Sequence, residues 1–157
     1  MAAVALFSGE EEEDLTVLLK GAADKDLLRA LKATNEIYGL EMFAMVSAII
    51  TLGEQLRGKR ILLFLDNNAA AGALIKGSSR ILVVLAMIES FWGCLAQMAA
   101  TCWVERVASQ ANPADAPSRG EALFRKPQVE GELASLTRVL QLCQVSIDKN
   151  DFMKKLL

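Results

Sequence analysis

The spacing of apolar residues predicts a short buried strand near the middle of the chain. Ile61 to Leu65 is an unbroken apolar run that follows a glycine turn and ends before Asn67 and Asn68. A run of that length between turn-forming residues favours a buried strand over a helix. Either asparagine can cap a following alanine-rich helix, which Gly77 would end. Asp66 therefore leaves the strand at its carboxyl end, where open α/β sheets bind ligands.

Helices and further strands are predicted on both sides of this strand. Apolar residues spaced three and four apart predict a helix from about Gly39 to Leu56 and a long helix from about Arg80 to Ala99. Clustered β-forming residues predict a strand over Thr101 to Val107, and Ala2 to Phe7 fits a short strand. The same spacing rule predicts a surface helix over 23–33.

The pattern weakens after Gly120, and Lys126-Pro127 marks a boundary. We therefore expect one domain over 1–125 and an accessory helical tail over 126–157. The tail has an apolar stripe at helical spacing, formed by Leu133, Leu136, Val139, Leu140 and Cys143.

The predicted fold is α/β. We expect a mixed sheet built around Ile61–Leu65 and flanked by Thr101–Val107, with the Gly39–Leu56 helix packed across it. Leu15 to Leu19 fits either a further strand or the first turn of a helix.

Composition excludes several classes of chemistry. The chain has 157 residues, a net charge of -2, no histidine and three cysteines. Without histidine, the chain holds neither a Ser-His-Asp nor a Cys-His catalytic arrangement. The odd cysteine number and the absence of a CxxC pair indicate reduced thiols in an intracellular protein. Ile81 to Val104 is long enough to span a membrane, but its central Glu89 and its small-or-polar stripe favour a buried helix, so we expect no membrane partner.

Three acids occupy positions from which they can bind a cation or simply stabilise helix ends. Glu41 lies among apolar residues early in a predicted helix, Asp66 lies at a strand end, and Asp115 follows an Asn-Pro turn. Each fits a capping or helix-dipole role, which needs no common location. Metal ligands, in contrast, must converge on one point. The sequence leaves both interpretations open.

The residues around these acids resemble the ribonuclease H-like domain of retroelement reverse transcriptases. Leu40-Glu41-Met42-Phe43-Ala44 resembles the helix that carries the family's catalytic Glu, and Phe64-Leu65-Asp66-Asn67-Asn68-Ala69 resembles its strand-end Asp-Asn motif. Asn112-Pro113-Ala114-Asp115-Ala116-Pro117-Ser118-Arg119 is similar to its Asn-x-x-Asp-x-x-Ser-Arg motif. The similarity covers about Asn35 to Leu123.

The resemblance implies a magnesium- or manganese-dependent nuclease. Glu41, Asp66 and Asp115 would be the catalytic, metal-binding residues, and the RNA strand of an RNA–DNA hybrid would be the substrate. Hydrolysis through two metal ions needs clustered oxygen ligands and no covalent nucleophile. Nucleic acid is therefore the expected partner, and a reverse transcriptase domain is expected upstream in the parent element.

One departure from the family affects the expected activity. The family's first strand supplies a catalytic Asp, and no Asp-bearing strand of that kind precedes Glu41 here. We expect the domain to lack its first strand at the N-terminus, Ala2–Phe7 to shift inward beside Ile61–Leu65, and hydrolysis to be weak or lost. The alternatives are a non-catalytic ribonuclease H-like module that binds nucleic acid or protein, and an unrelated α/β protein whose three acids are caps.

Overall fold

A computed structural model describes residues 2–7, 15–22, 28–29, 31, 36–122 and 129–134 of the chain. This part is mixed α/β, as predicted. Its strands are β1 (Ala2–Phe7), β2 (Leu15–Gly21), β3 (Arg60–Leu65), β4 (Thr101–Arg106) and β5 (Val129–Glu132). Its longer helices are α1 (Glu36–Leu52), α2 (Asn68–Lys76) and α3 (Leu82–Gln97), and a short helix α4 covers Asp115–Ser118. Two 3₁₀ turns lie at Gly53–Leu56 and Ser109–Ala111, and residues 28, 29 and 31 are helical.

The strands form two small sheets. β1 and β2 pair antiparallel, and β5 joins the other edge of β2 in parallel. β3 pairs with β4 in parallel, with Ile61 opposite Cys102 and Leu65 opposite Arg106. The β3–β4 pairing follows from the chain between them, because two parallel neighbours need a crossover and α2 and α3 supply it.

The prediction of a single mixed sheet around Ile61–Leu65 is wrong for the described residues, and so is the inward shift of Ala2–Phe7. β1 pairs with β2 along its whole length, from Ala2 opposite Gly21 to Phe7 opposite Leu15. A strand followed directly by a second strand satisfies its backbone most easily in a hairpin-like antiparallel pair, so β1 pairs with its neighbour in sequence.

The core lies between α1, α3 and the inner faces of the sheets. Met42 and Val46 of α1 are fully buried, as are Val84, Met87 and Phe91 of α3. The stretch Ile37–Leu56 is apolar and long enough to cross a membrane, and 67% of its most apolar window is buried inside the fold, as in a core helix. From the sequence, Ile81–Val104 was the segment long enough to span a membrane. The helix within it, α3, has 16 residues.

Local capping signals hold α2 where the sequence placed it. The Asn67 side chain accepts hydrogen bonds from the backbone amides of Ala69 (2.9 Å) and Ala70 (3.2 Å). Gly77 adopts a left-handed conformation (φ 65°) directly after the last helical residue, as is usual for a glycine that ends a helix.

The predicted helical tail is wrong in the part that the structure describes. Val129–Glu132 is a strand, and Leu133 continues its pairing by donating a backbone hydrogen bond to Lys20 (2.9 Å). The short polar sequence of β5 has little helical or strand preference of its own, so its pairing with β2 decides its conformation. The remainder of the predicted tail, 135–157, lies outside the described residues.

Candidate acidic cleft

Two parallel strands deliver two of the three acids to the same edge of a sheet. Asp66 follows β3 directly, and β4 ends beside it because Leu65 is opposite Arg106. The Val107 amide donates a hydrogen bond to the Leu65 carbonyl (2.9 Å), which extends the pairing by one residue. The chain then turns through Ser109–Ala111 and returns to the same edge at Asp115. The carboxyl ends of the strands therefore form one side of a site, as in open α/β folds.

A cleft of about 650 Å³ lies at this edge, and all three predicted site residues line it. α1 contributes Glu41, and the two strand ends contribute Asp66 and Asp115. Polar side chains make up much of the remaining lining, namely Asn67, Asn68, Ser109, Asn112, Ser118 and Arg119. The cleft therefore gathers acids that are far apart in the sequence. Their roles in catalysis and metal binding stay a prediction.

Glu41 lies deeper in α1 than the sequence suggested. The predicted helix began near Gly39, which would put Glu41 in the first turn, but α1 begins at Glu36. Five residues of α1 therefore precede Glu41, which lies in the second turn of the helix. The effect of the helix dipole is confined to the terminal turn, so Glu41 gains little from it. Its Oε2 atom is buried and has no hydrogen-bond partner among the residues that the structure describes.

The surroundings of Glu41 favour its protonated form. Burial is the largest cause, and the negative charge of Asp66 adds to it, so that the pKa of Glu41 is raised from 4.5 to about 7. The Asn67 side chain interacts with the carboxyl group and lowers the pKa in part. An acid in this state is destabilised when it ionises, and a bound cation would relieve that cost.

Asn67 has a second role that the sequence did not indicate. Asparagine after a strand predicted only a helix cap, and Asn67 does cap α2. It also lies beside Glu41 of α1 in the lining of the cleft, where its side chain lowers the pKa of the Glu41 carboxyl group. This proximity joins the start of α2 to the second turn of α1, which local sequence patterns do not report.

The Asn-x-x-Asp-x-x-Ser-Arg segment forms a compact turn in which every motif residue has a structural partner. Asn112 Oδ1 accepts a hydrogen bond from the Ala114 amide (3.0 Å), and the Asp115 amide donates to the Asn112 carbonyl (3.1 Å). The Ser118 hydroxyl donates to the Asp115 carbonyl (2.7 Å). These bonds hold the backbone of the segment, so that the Asp115 and Arg119 side chains leave it from a fixed frame.

Arg119 binds the carboxylate of Asp115. Its Nη2 atom is 3.0 Å from Oδ1 and 2.7 Å from Oδ2, so both oxygens share one donor nitrogen. The two residues are four positions apart in the sequence. The pair is partly exposed, with 65% of the Arg119 side chain and 30% of the Asp115 side chain accessible to solvent. Exposed pairs of this kind contribute about 0.3–0.5 kcal/mol. The contact that holds Asp115 is therefore weak enough for a divalent cation to displace it.

The interpretation of the acids as helix caps finds little support in these contacts. Asn67, and not Asp66, caps α2. α4 has Ala114 at its cap position, makes no side-chain capping bond, and has Asp115 as its first residue. Convergence on one cleft is what ligands require and caps do not.

The carboxyl groups fit a divalent cation in part. Mg²⁺ and Mn²⁺ prefer oxygen ligands, and the unpartnered Oε2 of Glu41 would gain a partner from such an ion. Within the described ranges, no three acidic or cysteine side chains lie close enough to form a metal centre as they stand. Glu41 and Asp66 would hold one ion, and Asp115 would join them after leaving Arg119.

No protein-family model, curated protein or solved structure matches this chain.

Proposed function

We propose that this chain is a ribonuclease H-type domain of retroelement origin that binds a divalent cation in its acidic cleft. The observation that carries the proposal is the convergence of Glu41, Asp66 and Asp115 at the carboxyl edge of β3 and β4. The segments Leu40–Ala44, Phe64–Ala69 and Asn112–Arg119 support it, because each resembles a motif of that family and they follow one another in the expected order.

Each group in the cleft has a task in this proposal. Glu41 and Asp66 hold the cation through carboxylate oxygens, and Asn67 orients the Glu41 carboxyl group. A bound Mg²⁺ or Mn²⁺ would activate water and stabilise the leaving oxygen of a phosphodiester. The open, partly polar lining suits a nucleic-acid backbone better than a small apolar ligand.

Hydrolysis of an RNA–DNA hybrid is expected to be weak or absent. Two-metal catalysis places ions about 3.5–4 Å apart and needs enough ligands for both. In the described part of the chain, three acids line the cleft, and β1 and β2 carry none within their bounds. One of the three, Asp115, is bound to Arg119.

A non-catalytic module that binds nucleic acid is the second candidate, and the Asp115–Arg119 pair favours it. A site that keeps one acid neutralised has less negative charge to repel a phosphate backbone. Cation binding and backbone binding can then persist without turnover.

Thermal unfolding in increasing Mg²⁺ or Mn²⁺ tests the proposal. An ion that binds only the folded state raises the melting temperature of the protein. We expect this rise in the wild type and in Glu89→Gln, whose side chain is exposed on α3, and its loss in Asp66→Asn. Wild-type melting that does not respond to either ion would refute the cation site.

Incubation with a labelled RNA–DNA hybrid separates the two candidates. Slow or undetectable cleavage together with cation-dependent binding supports the non-catalytic module. Robust cleavage that disappears in Asp66→Asn would support the nuclease and show that three acids are sufficient.

A further inference from the structure

The contact between Arg119 and Asp115 places a cationic side chain on a predicted metal ligand. Both residues line the cleft, and both oxygens of Asp115 contact the same guanidinium nitrogen. A divalent ion that takes Asp115 as a ligand has to displace this contact. The guanidinium would then lie at the rim of an acidic cleft without its carboxylate.

We infer that Arg119 couples cation binding to phosphate binding. In the cation-free protein it neutralises Asp115, and when a cation binds Asp115 it turns to a phosphate of the nucleic-acid backbone. This inference rests on the proposed function, because it needs both the cation and the nucleic acid to occupy the cleft.

The geometry of the turn makes such an exchange inexpensive. Hydrogen bonds from Ser118 and from the Arg119 amide to the Asp115 carbonyl (2.7 and 3.3 Å) hold the backbone, and neither involves the Asp115 or Arg119 side chain. The exchange therefore needs only side-chain rotation. With 65% of its side chain accessible, Arg119 reaches solvent and the cleft without unpacking the core.

Arginine suits the phosphate role better than lysine would. Its planar fork of donors matches phosphate oxygens, and it stays charged at every relevant pH. Among the described residues that line the cleft, Arg119 is the basic one. A backbone phosphate that approaches the bound cation would therefore meet Arg119 as its direct partner.

The first test measures cation binding without nucleic acid. In Arg119→Gln, Asp115 has no competing guanidinium, so we expect Mg²⁺ to bind about twofold more tightly in thermal titrations, which corresponds to the strength of an exposed pair. Arg80→Gln is the control, since Arg80 is exposed before α3 and does not line the cleft. Weaker cation binding in Arg119→Gln would mean that Arg119 merely positions Asp115, and the inference would fail.

The second test measures hybrid binding by fluorescence anisotropy in the presence of Mg²⁺. We expect Arg119→Gln to bind a labelled RNA–DNA hybrid about tenfold more weakly, since a charge-assisted hydrogen bond is lost. The slope of log affinity against log salt concentration should fall by about 1, because one phosphate contact disappears. Arg119→Lys, which keeps the charge, should retain the wild-type salt slope.

The outcomes distinguish this inference from the proposed function. If Mg²⁺ stabilises the wild type but not Asp66→Asn, while Arg119→Gln matches the wild type in both tests, only the role of Arg119 is wrong. If Mg²⁺ stabilises neither the wild type nor any variant, the cation site itself is wrong. Opposite effects of Arg119→Gln on the two ligands support the coupling, because general damage to the fold would weaken both.

Discussion

At the scale of single residues, the cleft combines a half-buried acid with a second acid and an amide. Glu41 holds its proton to about pH 7 because burial and the charge of Asp66 disfavour its ionised form. Ionisation near neutral pH therefore costs stability in the absence of a cation. The same cost is what a bound Mg²⁺ would remove, so proton and metal compete for Glu41.

Replacing Glu41 with glutamine should remove a pH dependence of stability. The folded state binds the Glu41 proton more tightly than the unfolded chain, so the free energy of unfolding falls as the pH rises from about 4.5 to about 7. Glutamine resembles the protonated acid. We expect Glu41→Gln and the wild type to melt at similar temperatures at pH 5 and the variant to melt higher at pH 8, in cation-free buffer. Equal differences at both values would show that Glu41 does not titrate in this window.

Substitutions of Asn67 should separate its two roles. Asn67→Ala removes the cap of α2 and should lower the free energy of unfolding by about 1 kcal/mol at pH 5 and by more at pH 8, where Glu41 is ionised and loses the stabilising Asn67 side chain. Asn67→Asp keeps a capping oxygen but adds a negative charge near Glu41, so its cost should be small at pH 5 and larger at pH 8. Chemical denaturation at the two pH values measures both. A pH-independent cost in Asn67→Asp would contradict the contact between Asn67 and Glu41.

The sequence was sufficient to predict which acids line the cleft, but it did not predict the side chains that interact with them. Asp66 and Asp115 were found because each follows a local signal, a strand end and an Asn-Pro turn. The pairing of Asp115 with Arg119 was within reach of the sequence, since residues four apart in a helical turn are neighbours. The contact of Asn67 with Glu41 was not, because it depends on how α1 packs beside the start of α2.

At the scale of elements, close packing against α1 depends on one glycine. Gly39 is buried, and a Cβ atom built on it would lie 2.2 Å from the Leu31 side chain, which is itself fully buried. The helix therefore needs a residue without a side chain at this position. The sequence offered Gly39 only as a possible helix start.

Alanine at two helical glycines should change stability in opposite directions. Gly39→Ala forces Leu31 out of its site and should lower the free energy of unfolding by about 1–3 kcal/mol, as overpacking usually does. Gly72→Ala in α2 meets no atom of the described residues within 4 Å and should raise the free energy of unfolding by up to about 1 kcal/mol, because alanine is the better helix former. Urea titration of both variants measures the difference. A stabilising Gly39→Ala would mean that the segment containing Leu31 does not pack on α1 in solution.

Elements with local signals were predicted well, and strand partners were not. β3, α2 and β4 lie within about one residue of their predicted bounds, because apolar runs, a cap and a terminating glycine specify them locally. The division into two sheets and the strand β5 depend on pairing between distant segments. Sequence patterns carry the period of a strand but not the identity of its neighbour.

At the scale of the whole molecule, the β3–β4 sheet has one buried and one exposed face. Ile61, Leu63 and Val104 pack against the core from one side. On the other side Leu62 and Trp103 lie opposite each other and are 68% and 66% exposed. Alternation along the strands places all large side chains of this second face on the surface of the described structure.

Polar substitution on this exposed face should therefore cost little stability. We expect Leu62→Thr to change the free energy of unfolding by no more than about 0.5 kcal/mol, since threonine keeps the β preference and no packing is lost. Leu65→Ala, at a buried position of the same strand, is the matched comparison and should cost about 2–5 kcal/mol. Urea titration gives both values. If Leu62→Thr costs as much as Leu65→Ala, this face of the β3–β4 sheet is covered in the folded protein.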